Sequence, residues 1–194
     1  MVPLRTFIAV DIHPTILQSV QHKIEPLRKA IGDSTVRWVP VDNFHLTLKF
    51  LGDIAPAKVD DLTRILRTEA DSCQPFDIHI NGLGSFPNSK RPRVLFIGIQ
   101  PQAGLDALQR GIESATAKLG YKSEARDFSP HLTIGRVREN VTAIDQQRIR
   151  KALDEIKIDS LGTARVDSVH LYKSELKPSG SVYTKLFSAP LQKP

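Results

Sequence analysis

The tripeptide His-Leu-Thr occurs twice, at His45-Leu46-Thr47 and at His131-Leu132-Thr133, and each copy is followed by an aliphatic residue, Leu48 or Ile134. Side chains alternate faces along a β-strand. His45 and Thr47 then share one face, while Phe44, Leu46 and Leu48 share an apolar face that must pack on helices. The second copy repeats this, with His131 and Thr133 opposite Leu132 and Ile134. A fold for this chain must therefore contain two half-buried strands, each presenting an imidazole beside a hydroxyl. A lone His-x-Thr on a strand is more often structural than functional, by about three to one. Its repetition at equivalent places in the chain reverses that balance.

The repeat extends beyond the tripeptides. The same number of residues separates His45 from Pro56 and His131 from Thr142, and a helix is expected to begin at each. Each tripeptide is preceded, at a distance, by a strand and then a helix: 5–11 with 14–31, and 93–99 with 103–119. Apolar residues recur at helical spacing at Ile16, Leu17, Val20, Ile24, Leu27 and Ile31, with a kink or break expected near Glu25 because of Pro26. A second helix carries Val59, Leu62, Ile65 and Leu66. A third carries Leu105, Leu108, Ile112 and Ala115 and ends at Gly120. Thr142 and Asp145 read as a capping box for a fourth. Further strands are expected at 44–51, 76–83, 131–137, 164–172 and 182–187. The pattern predicts an α+β fold, with two similar halves of antiparallel sheet, outer helices and a central cleft. Residues 1–194 are expected to form one bilobal domain.

The chain has 194 residues and ordinary globular composition, with a net charge of +6, so anionic partners are favoured. The apolar run Phe7–Val10 is too short for a membrane span or a signal-peptide core. The single cysteine, Cys73, excludes an internal disulfide and fits a reducing compartment. A cytoplasmic monomer is expected.

Two histidines can supply opposite roles at one pH, because the imidazole titrates near neutrality. A neutral ring takes a proton from water, and a protonated ring gives one to a leaving oxygen. Threonine hydroxyls suit the non-bridging oxygens of a phosphate, whose charge must be stabilised in the transition state. The set is complete for in-line phosphodiester chemistry without a metal. Neither copy has a carboxylate or cysteine spaced as a zinc ligand set, and no nucleophile elbow is present. No cofactor is expected. The residues themselves do not say which histidine is the acid.

The flanks of the two motifs resemble the two-histidine phosphoesterase superfamily, and within it the RNA 2′,3′-cyclic phosphodiesterases, also called 2′-5′ RNA ligases. The likeness runs through Arg5–Val10, Arg37-Trp38-Val39, Asn43–Gly52, Arg91–Phe96, Phe128–Val137, Leu171–Leu176 and Gly180–Tyr183. The resemblance implies a bilobal fold with both motifs in a central cleft. It implies hydrolysis of a terminal RNA 2′,3′-cyclic phosphate to a 2′-phosphomonoester, with the reverse reaction giving a 2′-5′ bond. It further implies His45 as proton donor, His131 as proton acceptor, Thr47 and Thr133 on phosphate oxygens, and Arg136 near the phosphate. Strict alternation would put Arg136 on the wrong face, unless Gly135 permits a bulge.

Two other readings carry different expectations. A related phosphodiesterase would act on 2′-5′ linkages or small cyclic nucleotides. A non-catalytic RNA- or nucleotide-binding module would keep the pocket without turnover, but has no need for two acid–base groups. Lys90-Arg91-Pro92-Arg93, Lys49, Arg138, Lys173 and Lys177 are candidate RNA contacts, and Trp38 or Phe44 a candidate stacking platform. His13, His22, His79 and His170 have no role in the expected chemistry, and Tyr172 is placed on the strand face of His170.

Overall fold

The computed structural model describes residues 2–178 and 180–192. The chain runs β1 (Leu4–Asp11), α1 (Pro14–Ile31), β2 (Val36–Trp38), β3 (His45–Ile54), α2 (Val59–Asp71), β4 (Phe76–Phe86), β5 (Val94–Ile99) and α3 (Ala103–Lys118). It continues β6 (His131–Val137), α4 (Ala143–Glu155), β7 (Gly162–Val166), β8 (Ser168–Lys177) and β9 (Gly180–Pro190). The expected α+β class with antiparallel sheet is what forms. Every strand joins one antiparallel sheet, in the order β7-β4-β5-β6-β3-β1-β8-β9, with β2 attached to β6.

That order reads alike from either end. A local dyad between β6 and β3 exchanges β5 with β1, β4 with β8 and β7 with β9. Each lobe of four strands draws on both halves of the sequence: β4 leaves α2 to pair with β5 and β7, while β8 and β9 return to β1. The helices obey the same dyad, with α1 against α4 and α2 against α3. Their buried stripes, Leu62, Leu66 and Ala70 on α2 and Leu105, Leu108 and Ile112 on α3, join the inward residues of the strands in one core.

Two local expectations need correction. Pro26 does not break α1, which is helical from Pro14 to Ile31. Pro26 is exposed, so its ring lies on the solvent side of the helix, while Val20, Ile24, Leu27 and Ile31 are buried before and after it. The single strand expected at 164–172 is two strands. Asp167 separates β7, which pairs with β4 in one lobe, from β8, which pairs with β1 in the other. The three-residue β2 was not anticipated, being too short to carry a period. The capping box at Thr142 forms as expected: the Thr142 hydroxyl accepts from the Asp145 N–H at 3.1 Å, and the Asp145 carboxylate accepts from the Thr142 N–H at 3.0 Å. No helix among the described residues is long and apolar enough to cross a membrane.

Candidate active site

β3 and β6 meet with Leu46 opposite Leu132, and both leucines are fully buried. Stepping one residue along that antiparallel register sets His45 beside Thr133 and Thr47 beside His131. Directly opposed residues share a face. The four polar side chains therefore gather on the face away from the leucines, where they line one cleft of about 620 Å³. The apolar partners expected on the other face are buried: Phe44, Leu48 and Ile134 pack into the core with the two leucines.

Both imidazoles are anchored in the same way. His45 Nδ1 donates to the carbonyl of Asn43 at 2.8 Å, and His131 Nδ1 to that of Ser129 at 2.6 Å. A carbonyl only accepts, so Nδ1 carries the hydrogen and Nε2 is left to exchange protons. Each ring also lies in an aromatic bed. His45 stacks on Phe7 with centroids 4.8 Å apart and meets Tyr183 edge-on at 5.2 Å. His131 meets Phe86 at 4.9 Å and Phe96 at 5.3 Å. The Asn43 side chain donates to the Ser181 carbonyl at 2.8 Å, tying the approach to β3 to the β8–β9 hairpin.

The register carries a bulge at the same point in both copies. Thr133 pairs with Phe96 and Gly135 with Leu95, so Ile134 is an extra residue. Thr47 pairs with Ala9 and Lys49 with Ile8, so Leu48 is its counterpart. A bulge reverses the alternation that follows it. It brings Arg136 to the cleft, resolving the conflict between alternation and the resemblance, and it brings Phe50 there as well. Gly135 allows this turn of the chain, because a Cβ at that position would stand 2.7 Å from Val36 Cγ1. Phe50 is 66% exposed. It was missed because strict alternation from His45 hides it; superposing the two copies would have paired it with Arg136.

The bulge also overturns the candidate role of Lys49. Its side chain is buried, with Nζ donating to Glu113 at 2.6 Å and to the Lys122 carbonyl at 2.7 Å, so it ties β3 to α3 rather than meeting RNA. Phe44 is likewise a core residue and not an exposed platform. Neither Lys90, Arg91 nor Arg93 lines the cleft, although Val94 and the unanticipated Arg5 do. His170 is a satisfied buried residue, bonded to Ser188 at 2.8 Å and Ser168 at 3.3 Å.

The dyad also fails beside the two histidines. The residue opposite His45 on β1 is Asp11, whereas the residue opposite His131 on β5 is Gly98. Asp11 accepts from the Tyr172 hydroxyl at 2.6 Å and from Lys185 Nζ at 2.8 Å. Burial works to raise the Asp11 pKa, but these bonds hold its carboxyl below the usual range. Burial pushes both catalytic-candidate imidazoles below the ordinary histidine value, and the bonds to Asn43 and Ser129 oppose it. Asp11 further opposes the fall at His45, and no carboxylate does so at His131. A proton on His131 disfavours one on His45, and Arg136 disfavours protonation of both.

Among the described residues no three His, Cys, Asp or Glu side chains form a metal-ligand set. The cleft offers imidazoles, hydroxyls and guanidiniums, which suit an anion. The dyad-related sheet and its paired His-x-Thr strands define a two-histidine phosphoesterase. The chain belongs to the 2′-5′ RNA ligase superfamily, whose family model matches residues 16–178. It is 33% identical over 183 residues to the RNA 2′,3′-cyclic phosphodiesterase of Methanothermobacter thermautotrophicus, covering 94% of this chain and 96% of that one. It is 35% identical over 185 residues to the Archaeoglobus fulgidus protein of the same name, covering 94% and 98%. The crystal structure of Escherichia coli LigT complexed with 3′-AMP superposes with a TM-score of 0.76 at 28% identity, over 98% of this chain and 99% of that one.

Proposed function

We propose that this protein is an RNA 2′,3′-cyclic phosphodiesterase that opens the cyclic phosphate to leave a 2′-phosphomonoester and a 3′ hydroxyl. The observation that carries the reading is the Leu46–Leu132 pairing, which sets two imidazoles and two hydroxyls on one face of one cleft. The names of the relatives supply the substrate class.

In this mechanism the phosphate lies between the rings. His131 Nε2 takes a proton from water as its oxygen attacks phosphorus, and His45 Nε2 gives a proton to the departing 3′ oxygen. The attacking and leaving oxygens are then in line. Asp11 supports the acid role of His45, because the neighbouring carboxylate opposes the loss of its proton. Thr47 and Thr133 donate to the non-bridging oxygens, and the Arg136 guanidinium balances the charge that builds on them. Phe50 offers an aromatic face to the terminal base. Reversal of the same steps joins a cyclic end to a 5′ hydroxyl. We assign the protein to the cytoplasm as a monomer of one bilobal domain acting on RNA ends, a setting in keeping with the free thiol of Cys73.

The test is to incubate purified protein, with EDTA, on an oligoribonucleotide bearing a 2′,3′-cyclic end and to analyse the product. A 2′-phosphate end is expected. Release of a 3′-phosphate, or tight binding without turnover, would overturn the reading.

A further inference from the structure

Arg37 on β2 and Arg136 on β6 stand directly opposite one another, so both side chains leave the sheet on one face. Like charges in that relation weaken strand pairing. Neither guanidinium has a carboxylate within ion-pair distance among the described residues. Arg136 lines the catalytic cleft and also an adjoining groove of about 560 Å³, where Arg37 and Arg138 lie with it. The carboxylate of that groove, Glu139, forms no ion pair with any of the three among the described residues. Arg138 is held by Nε donation to the Asp33 carbonyl at 3.3 Å. The groove thus collects three guanidiniums against one carboxylate that pairs with none of them among the described residues, and it adjoins the cleft at Arg136.

It also breaks the dyad. The counterpart of β2 would pair with β3 from the segment between α3 and β6, and no strand forms there. The groove is therefore an addition to one side of an otherwise symmetric body. Guanidiniums along a groove bind phosphodiester oxygens and fix the register of a nucleic-acid strand without reading its sequence.

We propose that this groove is a second phosphate subsite, in which Arg37 and Arg138 hold the RNA backbone on the 5′ side of the cyclic end and Arg136 bridges to the cleft. The proposal rests on the phosphodiesterase reading for its choice of strand direction. It makes the protein a better enzyme on an oligonucleotide than on a nucleoside 2′,3′-cyclic monophosphate with the same base.

The experiment compares kcat/KM on that monophosphate and on a tetraribonucleotide with the same cyclic end, for wild type, Arg37→Gln and Arg138→Gln. Glutamine is chosen because a glutamate opposite Arg136 would capture it. The tetranucleotide-to-monophosphate ratio is expected to fall about 5- to 10-fold in each variant. The slope of log kcat/KM against log salt for the tetranucleotide should flatten by about 0.7 for one lost phosphate contact. Fluorescence anisotropy with a labelled tetranucleotide carrying a terminal 2′-phosphate should give the same loss without turnover. Equal loss on both substrates, or an unchanged ratio and salt slope in both variants, overturns the subsite. A wild type that binds the labelled RNA through Arg37 but hydrolyses neither cyclic substrate keeps the subsite and removes the phosphodiesterase reading. A wild type that hydrolyses both substrates equally well at low salt does the opposite.

Discussion

Leu46 and Leu132, the middle residues of the two motifs, stand opposite one another where the two lobes of the sheet join, and both are fully buried. Their packing sets the separation of the histidines on either side. Truncating either one to alanine is expected to cost about 3 kcal/mol of stability from lost contacts and a cavity, measured by urea denaturation. It should also lower kcat, because the lobes share this join. Ile112→Ala, equally buried on α3, should cost similar stability at a smaller cost in kcat. Equal kcat losses in the two variants would deny the join its positioning role.

His45→Ala and His131→Ala should each lower kcat by about 10²- to 10⁴-fold, measured by product formation from the cyclic end. The double variant should lose little more than either single, since one missing proton carrier already breaks the transfer. Thermal unfolding of each variant checks that the aromatic beds of Phe7 and Phe86 survive. Near-full activity in His45→Ala is the result that defeats the mechanism.

The pH dependence follows from the two depressed imidazoles. Because burial lowers both, the bell-shaped profile of kcat/KM should peak on the acid side of about 6.5, the ordinary histidine value. Asp11→Asn removes the negative charge that opposes the fall at His45, so the His45 pKa should drop further. With His45 as acid, the alkaline limb then moves to lower pH and the bell narrows. Movement of the acidic limb alone would make His45 the lower-titrating group and reverse the assigned roles. The same shifts bear on folding. An imidazole whose folded pKa lies below its unfolded value contributes less stability as pH falls from about 6.5 toward the folded value. Acid destabilisation should therefore be smaller in His131→Ala, checked by unfolding temperature against pH.

The bulge at Ile134 can be tested through the glycine that permits it. Gly135→Ala puts a Cβ 2.7 Å from Val36 Cγ1, which should cost about 1–3 kcal/mol and lower the unfolding temperature by several degrees. It should reduce kcat in the direction of Arg136→Gln, since Arg136 loses its aim. Phe50→Ala should instead act on KM, by about tenfold for loss of one stacked base. A kcat effect alone in Phe50→Ala would place that ring in the chemistry rather than in binding.

The site was legible where a short rule sufficed. The His-x-Thr period, the apolar residues behind it and the capping box at Thr142 depend on neighbours within a few positions. Arg136 and Phe50 were not reachable by alternation, because one inserted residue, at Ile134 or Leu48, reverses every side chain after it. Asp11 gave no signal either, since its meeting with His45 is a cross-strand pairing fixed by the sheet. The exchange of strands between lobes was also hidden: Asp167 ends one strand and the next belongs to the other lobe, a fact decided by long-range pairing. Lys49 reads as a surface cation until Glu113, far along the chain, supplies its counter-charge.

The matched bulges deliver opposite chemistries to matched places, a hydrocarbon ring at Phe50 and a cation at Arg136. The cleft is thereby symmetric in outline and handed in composition. A nucleotide end has a flat, uncharged base on one side of its sugar and an anion on the other, so only one way of lying in such a trough satisfies both. On the proposed mechanism, the orientation of the ligand, and with it which imidazole meets the departing oxygen, is set by two side chains that touch no proton themselves.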